Sequence, residues 1–208
     1  FHRRNPTFGS ADLHLLQELV QGTLTWQGTI DNLLIPYLKA PLSKLSPKLR
    51  NLLRLGVYQL KYLNRIPAYA VVSQAVDLAR QENETRASGL VNAVLRGISE
   101  NRRPTQNPNP QKDPEGYLCT SASHPRWMIR RWIHRFGLEE TQKLCDANNR
   151  RAPLTIRANP LRTNPKALSI TLAIQGIHTE PTSLLPNFLN VLKPGPLFQT
   201  NSYREGHF

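Results

Sequence analysis

The sequence predicts a mainly α protein, with an all-helical bundle over residues 1–100 and a truncated α+β subdomain over residues 117–208. Three observations predict it. From residue 12 to about 98, apolar residues recur every three or four positions, the period of helices with one buried face. The stretch 101–116 then carries four prolines and no large apolar residue, too little to build a core, so it reads as a stiff linker. Beyond it the pattern mixes helical spacing with short alternating runs, as in a small α+β unit.

In the bundle, Leu13, Leu16, Val20 and Leu24 form a first stripe, and Ile30, Leu33, Leu34, Tyr37 and Leu38 a second. Ser46-Pro47 opens a third helix, because proline at the first helical position gives up an N–H that has no partner there anyway. Its apolar line is Leu49, Leu52, Leu53, Gly56, Val57 and Leu60. A glycine inside a helix costs about 1 kcal/mol against alanine, so Gly56 predicts a close helix crossing. Val72, Ala75, Val76 and Ala79 make a fourth stripe, and Leu90, Val91, Val94, Leu95 and Ile98 a fifth. Trp26 and Tyr58 are expected in the core. No stripe can bury itself, and short connections favour a compact bundle.

After the linker, Ser123-His124-Pro125 opens a helix that Gly137 closes. Met128, Ile129, Trp132, Ile133 and Phe136 share its apolar face; Arg126, Arg130, Arg131, His134 and Arg135, with Trp127 among them, fill the basic remainder. A further helix covers about 139–148. Residues 153–158 alternate as a strand with Leu154, Ile156 and Ala158 inward. Asn164-Pro165 starts a helix through Leu168 and Leu172 that ends at Gly176, and apolar pieces at Ile177, 189–192 and Leu197-Phe198 are candidate strands.

The chain carries 27 Lys and Arg against 14 Asp and Glu, a net charge of +13, which marks a candidate polyanion binder. Up to Arg103 there are 14 basic and 7 acidic residues, and beyond it 13 and 7, so the excess belongs to folded surfaces in both halves rather than to one tail. Cys119 and Cys145 form no Cys-x-x-Cys pair, and the six histidines no metal-ligand spacing, which argues against a disulfide scaffold and a structural zinc site. No run of about 18 apolar residues is long enough for a membrane span, and the start lacks a signal-peptide core, so a cytoplasmic location is expected. Position 1 is Phe and the C-terminus lacks a closing tail, so both ends are expected to be cut. No two glycines lie closer than six residues, against a P-loop or a dinucleotide fingerprint.

Val20-Gln21-Gly22-Thr23-Leu24, the run from Leu53 to Leu60 with Arg65-Ile66-Pro67, and the run from Gly89 to Arg96 resemble the NusB-like helical domain, an RNA-binding antitermination-factor bundle. Ser123-His124-Pro125-Arg126-Trp127 and the run from Asn148 to Asn159 resemble the segment after that bundle in the RsmB (Sun/Fmu) family. Its members transfer a methyl group from S-adenosylmethionine to carbon 5 of a cytosine in 16S ribosomal RNA. The resemblance implies that this chain is the N-terminal portion of such an enzyme. A Rossmann-like domain, carrying the cofactor loop and two catalytic cysteines, would follow a stretch similar to 203–208. One of those cysteines follows a proline and the other a threonine. Cys119 and Cys145 each follow leucine, so both are expected to be ordinary thiols, with no catalytic or cofactor-binding residue in this chain and no activity from it alone.

What remains is RNA recognition, with 16S ribosomal RNA as partner, no metal, no membrane, and a monomeric state. Arg126, Arg130 and Arg131 suit phosphate contacts, and Trp127 suits either base stacking or packing on a neighbouring domain. Arg150, Arg151, Arg157 and Asn159 flank the expected strand and come next. Arg54, Lys61, Arg65 and Arg96 extend the surface over the bundle, unless they serve as helix-surface ions or dipole partners. The rival readings are a stand-alone NusB-like antitermination-type protein, which would end near residue 100, and a DNA-binding regulator, for which no recognition-helix pair is visible.

Overall fold

The computed structural model describes residues 9–105, 107–183, 185–193 and 195–208; residues 1–8 of the expected bundle lie outside the described residues. The chain forms two compact units, Phe1–Asn149 and Arg150–Phe208. The first contains α1 (Ser10–Thr25), α2 (Gln27–Leu34), α3 (Pro47–Tyr62), α4 (Ala68–Gln81), α5 (Ser88–Ser99), α6 (Pro114–Ser121) and α7 (Arg126–Asn149). The second contains β1 (Thr155–Arg157), α8 (Pro165–Ile174), β2 (His178–Pro181), β3 (Phe188–Lys193) and α9 (Asn201–Arg204).

Helix α3 is the hub of the bundle. Its start is set by Ser46, whose hydroxyl accepts the Leu49 N–H at 3.1 Å, with Pro47 as first helical residue. It packs against α1, α2, α4 and α5, and Leu53 and Val57 on it are fully buried among Ile30, Leu34, Ala79, Val91 and Leu95. Two crossings are close enough to demand glycine. A Cβ on Gly56 would sit 2.7 Å from Leu95 Cδ1 of α5, and a Cβ on Gly22 would sit 2.0 Å from the Tyr58 ring. Tyr58 is thereby clamped between α1 and α3: its hydroxyl donates to Glu18 at 2.6 Å, and its ring stacks on Tyr62, which stacks on Trp26. Arg54 forks onto Asp31 of α2 through Nε at 2.8 Å and Nη2 at 2.7 Å.

Several faces differ from the periodic reading. On α1, Val20 and Leu24 are exposed, while Leu19 and Thr23 turn toward the core, because the glycine contact with Tyr58 fixes which side of α1 meets α3. The stretch 101–116 does not separate the compact units. Tyr37 donates its hydroxyl to the Gly97 carbonyl at 3.0 Å and accepts the Arg103 N–H at 3.0 Å, and Asn32 donates to Asn107 at 2.9 Å, which fastens the segment to the bundle. Asp113 then caps α6 by accepting the Gly116 N–H at 2.9 Å, and α6 packs on α2 with Leu118 buried.

Helix α7 is broken where expected, at Gly137 with φ +79°. Ile129 and Cys145 from its two halves join Leu118 and Ala122 in a small core. Phe136, expected inward, is 47 % exposed and lies beside the Arg135 guanidinium, since the break at Gly137 turns the helix end away from that core.

The second unit is a three-stranded antiparallel sheet of order β1-β3-β2, with α8 crossing from β1 to β2. Asn164 caps α8 and Gly176, at φ +77°, ends it, as its turn requires. Ile156, Ala158, Leu189 and Val191 pack with Leu168, Leu172, Ile177 and Leu197. Leu154 precedes the strand and is exposed. Ile177 is buried just ahead of β2, and the expected strand at Leu197-Phe198 is a single 3-10 turn.

The crossings predict that Gly22→Ala loses stability although alanine is the better helix former: overpacking costs about 1–3 kcal/mol, against a gain of about 1 kcal/mol in propensity. Urea unfolding should show a net loss of up to about 2 kcal/mol for this variant, and none for Gly89→Ala, where a Cβ meets open space.

Candidate nucleic-acid interface

The basic residues singled out by the sequence fall into three electrostatic situations. Arg126 and Arg130 stand on the first half of α7 and face the start of α6. Arg126 reaches Asp113 at 2.7 Å and Glu115 at 3.2 Å, and Arg130 donates to Glu115 at 3.1 Å. A backbone N–H from Gly116 and the Arg126 guanidinium hold the Asp113 carboxyl below its ordinary range; hydrogen bonds from Arg130 and Arg126 do the same for Glu115. Both arginines are exposed, yet each already faces a carboxylate that a phosphate would have to displace.

Arg54, on α3, is locked in its fork with Asp31 and only 14 % exposed, so it braces the bundle. Asn159 is likewise committed: its amide donates to the Gly206 carbonyl at 2.9 Å and its side-chain oxygen accepts the Leu161 N–H at 3.1 Å. Lys61 donates to Asn101 at 2.7 Å.

Arg65, Arg96, Arg131, Arg150, Arg151 and Arg157 are exposed and have no ion-pair partner among the described residues. Arg131 lies on α7 with Trp127, whose ring is 64 % exposed, so packing of Trp127 within its own unit is slight. Arg135, outside the sequence-based selection, joins this face and stacks on Phe136 at 5.3 Å. Arg96 lines a groove of about 640 Å³ between α4 and α5 together with Asn92, Arg80 and Tyr69; Tyr69 is 79 % exposed and also escaped selection, since one aromatic among alanines has no periodic signal. Arg150, Arg151 and Arg157 belong to the second unit, where Arg157 lies over the Phe188 ring at 6.0 Å.

Neither cysteine is poised for chemistry. Cys145 is fully buried and burial pushes its thiol up to about 11, while burial also raises half-buried Cys119, so the thiolate is disfavoured at both. No cluster of metal-ligating side chains occurs among the described residues, and no described helix is long and apolar enough to cross a membrane. S-adenosylmethionine, which the family resemblance implies, does not fit the residues present. The sheet is short and antiparallel, and Gly137, Gly176, Gly195 and Gly206 stand too far apart to form a glycine-rich strand-to-helix turn.

A helical bundle followed by a split β-α-β unit, with arginines on both that have no ion-pair partner among the described residues, defines the class of protein. Residues 2–100 match the NusB family, and residues 124–197 match the ferredoxin-like domain of RsmF/B-like methyltransferases. The chain belongs to the family that joins these two domains, that of ribosomal RNA small subunit methyltransferase B. It is 32 % identical over 192 residues to a Bacillus subtilis protein and 33 % identical over 196 residues to one from Synechocystis, each named "Probable ribosomal RNA small subunit methyltransferase B". The Pseudomonas putida ribosomal RNA small subunit methyltransferase B is 32 % identical over 166 residues. These alignments cover 92 %, 94 % and 80 % of this chain but 42 %, 44 % and 36 % of the relatives, so the chain spans less than half their length. The crystal structure of PH0851 shares the fold, with a TM-score of 0.68 at 20 % identity over 99 % of this chain and 46 % of that one.

The depressed carboxyls set a pH dependence. A group whose folded pKa is lowered contributes stability above its unfolded value, which is lost as pH falls through the folded one. The α6–α7 contact should therefore weaken as pH drops below the ordinary values of 3.8 and 4.5 for Asp113 and Glu115. Thermal midpoints of the double variant Asp113→Asn/Glu115→Gln should fall less on acidification from pH 6 to 3 than those of the unaltered chain; identical curves would contradict it.

Proposed function

We propose that this chain holds ribosomal RNA for an S-adenosylmethionine-dependent 16S rRNA cytosine-5 methyltransferase, acting in the cytoplasm as a monomer without a metal. The observation that carries the reading is the order of domains: a NusB-type bundle, then the ferredoxin-like unit found in RsmF/B-like methyltransferases. An antitermination-type protein needs only the first, so the second unit favours the methyltransferase reading. Methyl transfer belongs to a catalytic domain that binds the methyl donor, and this chain's part is to grip structured RNA so that an unpaired cytosine is presented. In domain terms, residues 1–100 form the bundle, 101–116 the connection, and 117–208 the RNA-binding subdomain.

Phosphate contacts supply affinity and register, and the arginines without carboxylate partners are the ones ready to make them. Arg131, Arg150, Arg151 and Arg157 come first, with Trp127 offering an exposed ring for an unpaired base, and Arg65 and Arg96 adding contacts on the bundle. Arg126 and Arg130 contribute after displacement from Asp113 and Glu115. Lys61 keeps two donor hydrogens free, whereas Arg54 and Asn159 act through the fold.

Titration of the whole chain with 16S fragments across a salt series tests this. Charge reversal at Arg131 and Arg135 should weaken binding and lower the slope of log affinity against log salt by about 0.7–0.9 per lost phosphate contact. Arg126→Ala should cost less than Arg131→Ala. Equal affinity for duplex DNA and 16S fragments would refute the ribosomal reading.

A further inference from the structure

The inner side of the β1-β3-β2 sheet is sealed by α8, and its outer side is open. Pleating and register place two rungs of side chains on that open side: Thr155, Asn190 and Glu180 abreast in one, Arg157 and Phe188 in the next. Phe188 is a half-buried aromatic on a face that no described helix of this unit covers, and the Arg157 guanidinium lies over its ring at 6.0 Å. Asn190 accepts the Thr155 hydroxyl at 3.0 Å, and its amide N–H groups have no partner among the described residues. Charge is graded across the strands. Arg157 stands on β1, at one edge, with Arg150 and Arg151 shortly before it in the chain, and Glu180 stands on β2, at the other edge. The unit holds seven Lys and Arg against two Asp and Glu over residues 150–208, a higher ratio than the 20 against 12 of the residues before it.

We infer that this open sheet face is a platform for an unpaired stretch of RNA, an assignment that rests on the RNA-holding role proposed above. An aromatic ring on a flat sheet offers a base a π-face only when that base is out of a duplex. One base stacks on Phe188 as the Arg157 guanidinium leaves the ring for the phosphodiester, which runs along the β1 side toward Arg150 and Arg151, and the base edges cross β3 toward Asn190 and Glu180. A carboxylate only accepts hydrogen bonds and repels phosphate, so Glu180 both keeps the backbone on the β1 side and favours a base with an exocyclic amino group, cytosine, adenine or guanine, over uracil, whose one imino N–H is flanked by two carbonyl oxygens. A protein partner lacks the repeated negative charge that this gradient complements.

Fluorescence anisotropy of the 208-residue chain with short labelled oligoribonucleotides, single-stranded and as duplexes of the same sequence, tests the platform. Phe188→Leu keeps apolar bulk but removes the ring; it should weaken single-strand binding by about 5- to 100-fold, leaving duplex binding and the salt slope unchanged. Phe188→Tyr should bind as the unaltered chain does. Glu180→Gln, at an exposed position, should erase the preference for oligocytidine over oligouridine. Unchanged single-strand affinity in Phe188→Leu would overturn the platform while salt-dependent binding of 16S fragments persists. If that variant fails to fold by circular dichroism, a retained cytidine preference in Glu180→Gln overturns it instead. Failure of the unaltered chain to bind any RNA would remove both the platform and the function it rests on.

Discussion

The first unit depends on how closely α3 approaches its neighbours. Gly22 lets the hydroxyl end of the Tyr58 ring reach the backbone of α1, and Gly56 lets Leu95 reach the backbone of α3; one added methyl at either site has no room. Those two contacts fix the faces that α1 and α5 turn inward, and hence which apolar residues remain outside. They also set Arg54 opposite Asp31, which ties α2 to the hub, and α2 in turn supports α6. Close packing at a helix crossing thus reaches the charged surface by position alone, since α6 carries the carboxylates that face α7.

Those carboxylates divide the exposed arginines of α7 into paired and unpaired ones among the described residues. A guanidinium between two carboxylates is hydrogen-bonded and largely neutralised, whereas Arg131, one residue beyond Arg130, faces solvent. Exposed ion pairs of this kind are screened by solvent and stabilise little, so a phosphate that displaces one loses little. Arginines on α7 can therefore orient the α6 start in the free protein and still turn to a polyanion.

The second unit works by a different principle. Its strands are three to six residues long, with one buried side, so its core is slight and its other side is available. Backbone register does the positioning there: Thr155 meets Asn190 and Arg157 meets Phe188 because β1 and β3 run antiparallel with those pairs opposite. Asn159, committed to Gly206, closes this unit by binding its two ends together.

Much of this was legible from local pattern. The helices of the bundle, the caps at Ser46 and Asn164, the breaks at Gly137 and Gly176, and the close crossing at Gly56 all follow from spacing, capping chemistry and the steric freedom of glycine, which act over a few residues. Val20, Leu24 and Phe136 misled because periodicity marks apolar residues without saying which of them meets a partner. For the proline-rich stretch, composition marked the break in pattern but could not foresee that Tyr37 and Asn32 hold it to the bundle or that Asp113 starts a helix within it. By itself, then, the sequence determined the helical segments, their approximate buried sides and a positive charge shared by both units. Tertiary structure alone decided which arginines are free and which side chains share the open sheet, since pairs such as Arg126 with Glu115, 11 residues apart, and Thr155 with Asn190, 35 apart, are joined by packing and register rather than by any local period.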